Sequence, residues 1–153
     1  MDTTAQIDQI WIKRFHRGAM DAVAQATLQI GRGMVDNANQ GGRRQVTIIS
    51  AHQWSLVNET LRNNLHPSLR RANVLVSNME FQETRGRLIR LGPCLLRILG
   101  ETRPCEQMDE AFSGLRAALD KNWAGGVFGE VLTGGIITVG DQVSWEAADR
   151  LLT

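Results

Sequence analysis

Tyrosine is missing from this chain, and proline (3), cysteine (2) and aromatic residues (5%) are sparse among its 153 positions. Surfaces that hold nucleic acid combine a basic excess with aromatic platforms for stacking. Here 17 lysines and arginines face 16 aspartates and glutamates, a formal net charge of +1. Despite the pairs Arg43-Arg44 and Arg70-Arg71, most arginines are therefore read as solvated surface, and no nucleic-acid partner is expected. Cys94 and Cys105 lie apart with no Cys-x-x-Cys pair, which argues against a disulfide framework and a zinc site. A reducing, cytoplasmic setting fits such a chain. No apolar run approaches the roughly 20 residues that cross a bilayer. Met1 to Gln9 also lacks the basic-then-apolar order of a targeting signal, so no membrane association is expected. With no internal repeat, low-complexity stretch or linker, residues 1–153 are read as a single domain able to bury a core.

What the chain does contain is a series of short apolar runs punctuated by 15 glycines. Ile10 to Phe15 leans towards a strand, and Ala22 to Ile30 alternates with the period of two that gives a strand one buried face. The stretch from Gly31 through Gly42 reads as a loop and a candidate site rim. Val46 to Ile49 forms a buried strand, after which Ser50-Ala51-His52-Gln53 fits a capping box that opens a helix carrying Trp54, Val57 and Leu61 on one face. His66-Pro67-Ser68 ends that helix, and Asn73 to Val76 is the next strand. Leu88 to Leu91 and Cys94 to Leu99 flank a Gly92-Pro93 turn, placing Cys94, Leu96 and Ile98 on one face. Asp109 to Leu119 is helix-like with Gly114 as an interruption, and the glycine-rich stretch after it yields further short strands ending at Val143 to Trp145. The expected class is a β-rich α+β domain with two or three helices, whose sheet must curl or close to protect its edges.

Among chemically capable residues, Cys105 stands out. Pro104 suits a first helical turn, so Cys105 falls at a strand-to-helix junction where unpaired backbone N–H groups favour thiolate, and Arg103 adds a fixed positive charge. The alternative is a half-buried, inert structural cysteine. The exposed amides of the Ser50 turn are suited to a phosphate, against a simple helix cap. Arg71 and Asn73 open a strand together, and alternation puts both on one face, where a guanidinium can take a phosphate in bidentate fashion. Asp141 after Gly140 is expected to be a structural turn residue. A dinucleotide fingerprint starting at Gly31-Arg32-Gly33 fails, because Asp36 stands where its third glycine belongs.

Three segments carry a resemblance: RRANVLVSN (Arg70 to Asn78), LIRLGPCLLRILGETRPCEQM (Leu88 to Met108) and GGVFGEVLTGGIITVGDQV (Gly125 to Val143). An Arg-x-Asn opening a strand, a Pro-Cys after a later strand and a glycine-spaced tail ending in Gly-Asp resemble, in that order, the MOSC family, named for the C-terminal domain of molybdenum-cofactor sulfurases. The resemblance spans most of Gly18 to Val143. It departs at MVDNANQ (Met34 to Gln40), where the family usually carries Gly-Asp followed by a basic residue and histidine. The resemblance implies a β-barrel core and a function centred on Cys105. The cysteine either carries sulfur as a persulfide, received from a cysteine-desulfurase-like donor, or ligates molybdenum in a molybdenum cofactor (molybdopterin). The second role implies an oxidoreductase acting on N-hydroxylated compounds with an electron-donating reductase as partner. An association with pyridoxal phosphate enzymes comes with the family. Arg71, Asn73, Ser50 and Arg103 are the expected cofactor-binding residues. A catalytically silent MOSC-fold binding protein is the third possibility.

Overall fold

A computed structural model describes residues 4–147. The chain runs through β1 (Gln6–Lys13), β2 (Met20–Val23), β3 (Gln25–Gln29), β4 (Gly33–Met34) and β5 (Val46–Ser50) into the helix α1 (Ala51–Leu61). A 3-10 turn (Pro67–Arg70) leads to β6 (Val74–Ser77), β7 (Leu88–Leu91) and β8 (Cys94–Glu101). Two short helices, α2 (Gln107–Ala111) and α3 (Leu115–Leu119), precede β9 (Val127–Thr133), β10 (Gly135–Thr138) and β11 (Val143–Glu146).

Eight strands form one mixed sheet in the order β11-β7-β8-β9-β5-β6-β1-β2, and β10-β3-β4 form a second. The pair β5–β6 is parallel and its neighbours are antiparallel. Parallel neighbours need a crossover, and α1 with the 3-10 turn supplies it. Ser50 ends β5 and caps α1, its hydroxyl accepting from the Gln53 N–H at 3.2 Å. Trp54 and Val57 are the buried residues of α1, as the spacing predicts.

The expected β-barrel is not what forms: the sheet remains open, with β2 and β11 as its outer strands. β2 occupies β1 from Ile10 to Lys13 on one side, and β6 takes Gln6 to Ile10 on the other. Only the first residues of β1 are left to meet the chain entering β11. There Gln6 faces Gln142 in an isolated bridge, with Ile7 N–H donating to Asp141 O and Val143 N–H to Ala5 O, both at 2.9 Å.

The run from Ala22 to Ile30 is divided at Ala24 into β2 and β3, because the two halves pair in different sheets. Within β3 the alternation holds: Ala26 and Leu28 are buried while Gln25, Thr27 and Gln29 are exposed. The main core lies beneath the sheets and includes Ile7, Ile10, Leu28, Ile48, Val74, Ile89, Leu96 and Ile98. Cys94 belongs to it. A second cluster joins the helices through Trp54, Val57, Met108, Leu115 and Leu119. The helical run after Cys105 breaks at Phe112, whose extended backbone ends α2, and Gly114, with a φ of 89°, then turns the chain into α3. Among the described residues no helix is long and apolar enough to cross a membrane.

Candidate active site around Cys105

Cys105 sits in the turn between β8 and α2, two residues before the helix begins. Its carbonyl accepts the Met108 N–H at 3.0 Å. The thiol is exposed, in a cleft of about 610 Å³ lined by His16, Arg17, Pro104, Glu106, Gln107, Glu110 and Arg116. Cys94 has the opposite surroundings: it is fully buried, and burial, with Asp141 as a lesser cause, pushes its thiol up to about 11. One cysteine is therefore available to a reagent and the other is packed away.

The structure assembles the surroundings of Cys105 differently from the sequence expectation. α2 has only five residues and begins after Cys105, so the expected helical N–H groups beside the thiol reduce to one turn. Arg103 points outward and forms an ion pair with Asp120 at 3.1 Å, its side chain 70% exposed. The arginine beneath the turn is Arg70, which is buried. Its Nε donates to Gly125 O at 2.9 Å and its Nη2 to Thr102 O at 3.0 Å, while Nη1 approaches Met108 Sδ at 3.8 Å. Burial draws its guanidinium down to about 10, opposed by Cys105 and assisted by Arg44. In the sequence Arg70 is only the opening residue of the family-like segment from Arg70 to Asn78; it is the fold that brings residue 70 under residues 102–108.

Arg71 and Asn73 do not share a strand face. Arg71 has a left-handed backbone (φ 63°) and closes the 3-10 turn, and β6 starts only at Val74. Its Nη2 donates to Gly18 O, and its side chain lines a depression of about 250 Å³ with Met20, Gln107 and Met108. Gln107 lines both spaces, so Arg71 stands in the hollow next to that of Cys105. Asn73 is buried and committed to the interior. Its Oδ1 accepts from the Thr47 N–H and hydroxyl at 3.1 Å, and its Nδ2 donates to Trp11 O and Asn37 Oδ1 at 3.2 Å. Ser50 is buried at the cap of α1 and lines neither hollow.

The loop expected as a rim is also redeployed. Asn37 within MVDNANQ accepts the Lys13 N–H at 2.9 Å, and Ala38 N–H donates to Lys13 O, tying this departure from the family pattern to β1. The rim of the Cys105 cleft comes instead from His16 and Arg17, between β1 and β2. Asp141 is a turn residue as expected, its Oδ2 accepting the Thr138 N–H at 2.9 Å.

The donor set limits what such a site can hold. No group of three His, Cys, Asp or Glu side chains suited to a metal ion occurs among the described residues. A bare ion would lack ligands here, whereas a group that brings its own, such as the dithiolene of molybdopterin, needs one soft thiolate and cations for its phosphate. Cys105, Arg17 and Arg116 are of that kind, and the same turn holds a buried Thr102 hydroxyl without a hydrogen-bond partner among the described residues. The thiol and the two cations suit a cofactor of this type, whereas Glu106 and Glu110 in the same cleft oppose its phosphate.

No curated protein matches the chain. Among solved structures, the YuaD protein of Bacillus subtilis superposes with a TM-score of 0.79 at 20% identity, covering 92% of this chain and 94% of that one. YiiM from Geobacillus stearothermophilus gives 0.77 at 14% identity, over 94% of this chain and 75% of that one. YiiM from Escherichia coli gives 0.70 at 13% identity, over 94% and 70%. At such identities the likeness is one of fold. The model of the MOSC domain matches residues 13–144, a range that contains the Arg71-x-Asn73 segment, Cys105 and the Gly140-Asp141 tail, and the chain belongs to the MOSC domain family.

Proposed function

We propose that this MOSC-family protein is a sulfur carrier in which Cys105 holds sulfur as a persulfide and passes it to the molybdenum cofactor or another acceptor. The observation that carries this reading is the contrast between the two thiols, one exposed in a cleft and one sealed in the core. In loading, the Cys105 thiolate attacks the outer sulfur of a persulfide on a cysteine-desulfurase-like donor. A sulfur–sulfur bond forms at Cys105, the donor's own breaks, and the donor departs as a thiolate. The transferred sulfur changes owner without net oxidation. In unloading, an acceptor nucleophile attacks the same outer sulfur and Cys105 leaves as thiolate. Both steps need a thiolate reachable by a macromolecular partner, which exposure of Cys105 supports. His16, Arg17 and Arg116 would orient an anionic group of donor or acceptor beside it.

In a second reading, which the exposed thiol also supports, Cys105 ligates molybdenum in a reductase of N-hydroxylated compounds served by an electron-donating partner. Cys105 would hold the metal, and Arg17, Arg116 and Arg71 would face the cofactor's phosphate. The bound cofactor would supply the redox chemistry.

Cys105→Ser tests both readings. Serine nearly keeps the volume but offers a hard, protonated oxygen that cannot hold a persulfide and ligates a soft metal poorly. Mass-detected persulfide after exposure to a sulfur donor is expected in wild type and in Cys94→Ser, and absent in Cys105→Ser. Stoichiometric molybdenum in protein made by a host competent for molybdopterin synthesis would select the second reading. Wild-type persulfide and metal values in Cys105→Ser would overturn both and leave a non-catalytic MOSC-fold binding protein.

A further inference from the structure

Arg70 is built into the underside of the Cys105 turn. Thr102 and Met108, each three residues from Cys105, are the residues its two terminal nitrogens reach, and Gly125 takes its Nε. Gly125 makes this close approach feasible: a Cβ there would stand 2.4 Å from Thr102 O and 3.4 Å from Arg70 Nη2. A planar fork can serve the Thr102 and Gly125 carbonyls together, which a lysine ammonium cannot. Both carbonyls are neutral, however, and the ion pairs formed among the described residues engage other arginines and His52. A cation buried without a carboxylate is costly unless another anion faces it. Arg44 opposes its charge and Cys105 favours it.

We propose that Arg70 is the positioning residue of Cys105: it pins the turn from both sides and presents a buried positive charge that favours an anionic sulfur, thiolate or persulfide, at that place. This inference deepens the sulfur-carrier reading and rests on it. It also accounts for the availability of Arg103 to pair with Asp120, since the turn has its cation from below.

Iodoacetate and iodoacetamide test the charge separately from the scaffold. Both deliver a carbon to the same sulfur with loss of iodide, and only the first is an anion. Their rates at Cys105 are followed by mass, each relative to a free small thiol. Wild type is expected to favour iodoacetate more than the free thiol does, and Arg70→Gln to reduce that preference about threefold to tenfold. A purely structural arginine would alter both rates alike, so a folded Arg70→Gln protein with wild-type preference overturns the proposal. A second measurement uses wild type alone. At about 1 M salt the screening length is about 3 Å, which silences the exposed Arg17 and Arg116 and leaves a buried charge in force. Persistence of the preference is expected, and its disappearance overturns the proposal even where Arg70→Gln does not fold. Wild type that takes up no sulfur yet keeps a salt-resistant, Arg70-dependent preference would remove the sulfur-carrier reading alone. Normal sulfur loading with no dependence on Arg70 would remove the role of Arg70 alone.

Discussion

Cys94 lies on β8 beneath Gly135, where an added Cβ would come to 3.4 Å from its Sγ, and the neighbouring Leu96 and Ile98 are likewise sealed from solvent. A thiol in such a place resists ionisation, and its value of about 11 is above that of a free thiol near 9. The sign of the consequence follows from proton counting. Below pH 9 the thiol is protonated in both states and its contribution to stability is fully present. Between about pH 9 and 11 the unfolded chain releases the proton while the folded one keeps it, so stability falls as pH rises. Denaturant titrations of wild type and Cys94→Ala at pH 8 and 10.5 are expected to show a larger alkaline loss in wild type. Equal losses would assign the alkaline transition to other groups.

At the scale of elements, the positions just outside regular structure decide the most. Ser50 ends β5 and caps α1, and its buried hydroxyl satisfies the Gln53 N–H, which is the work of a helix cap. Ser50→Ala is expected to cost about 1 kcal/mol, measured by urea denaturation. An unchanged midpoint would show that another group caps α1. The left-handed Arg71 shows why period-two reasoning stopped short here. A residue closing a 3-10 turn is not in the following strand, so alternation starts only with Val74. The short α2 has the same lesson, for the extended backbone at Phe112 leaves a helix too brief to lend Cys105 much of a dipole.

Across the whole molecule, Asn73 links separate parts of the fold. It joins β1 through Trp11, β5 through Thr47 and the 34–40 segment through Asn37. Asn73→Ala would deprive the Thr47 N–H and the Trp11 carbonyl of their side-chain partner, while Asn37 Oδ1 keeps the Lys13 N–H and the Thr47 hydroxyl keeps the residue-73 N–H, and a loss of about 1 to 3 kcal/mol is expected from thermal or urea unfolding. A neutral outcome would mean that these groups find partners elsewhere.

Local pattern was sufficient for much of this protein. The N-cap at Ser50, the hairpin around Gly92-Pro93, the buried face of Cys94, Leu96 and Ile98, and the turn at Asp141 are all settled by residues close in the chain, whereas the reciprocal half of the capping box does not form because the Gln53 side chain donates to Glu80. The family motifs were legible for the same reason, being short and ordered along residues 13–144. What the tertiary structure alone decided concerns residues far apart. Whether the sheet closes depends on β2 taking the side of β1 that a barrel would use. The choice of arginine beneath Cys105 depends on packing residue 70 against residues 102, 108 and 125, an arrangement no local periodicity encodes. The sequence therefore specified the thiol and the family, while long-range packing selected the cation that accompanies it.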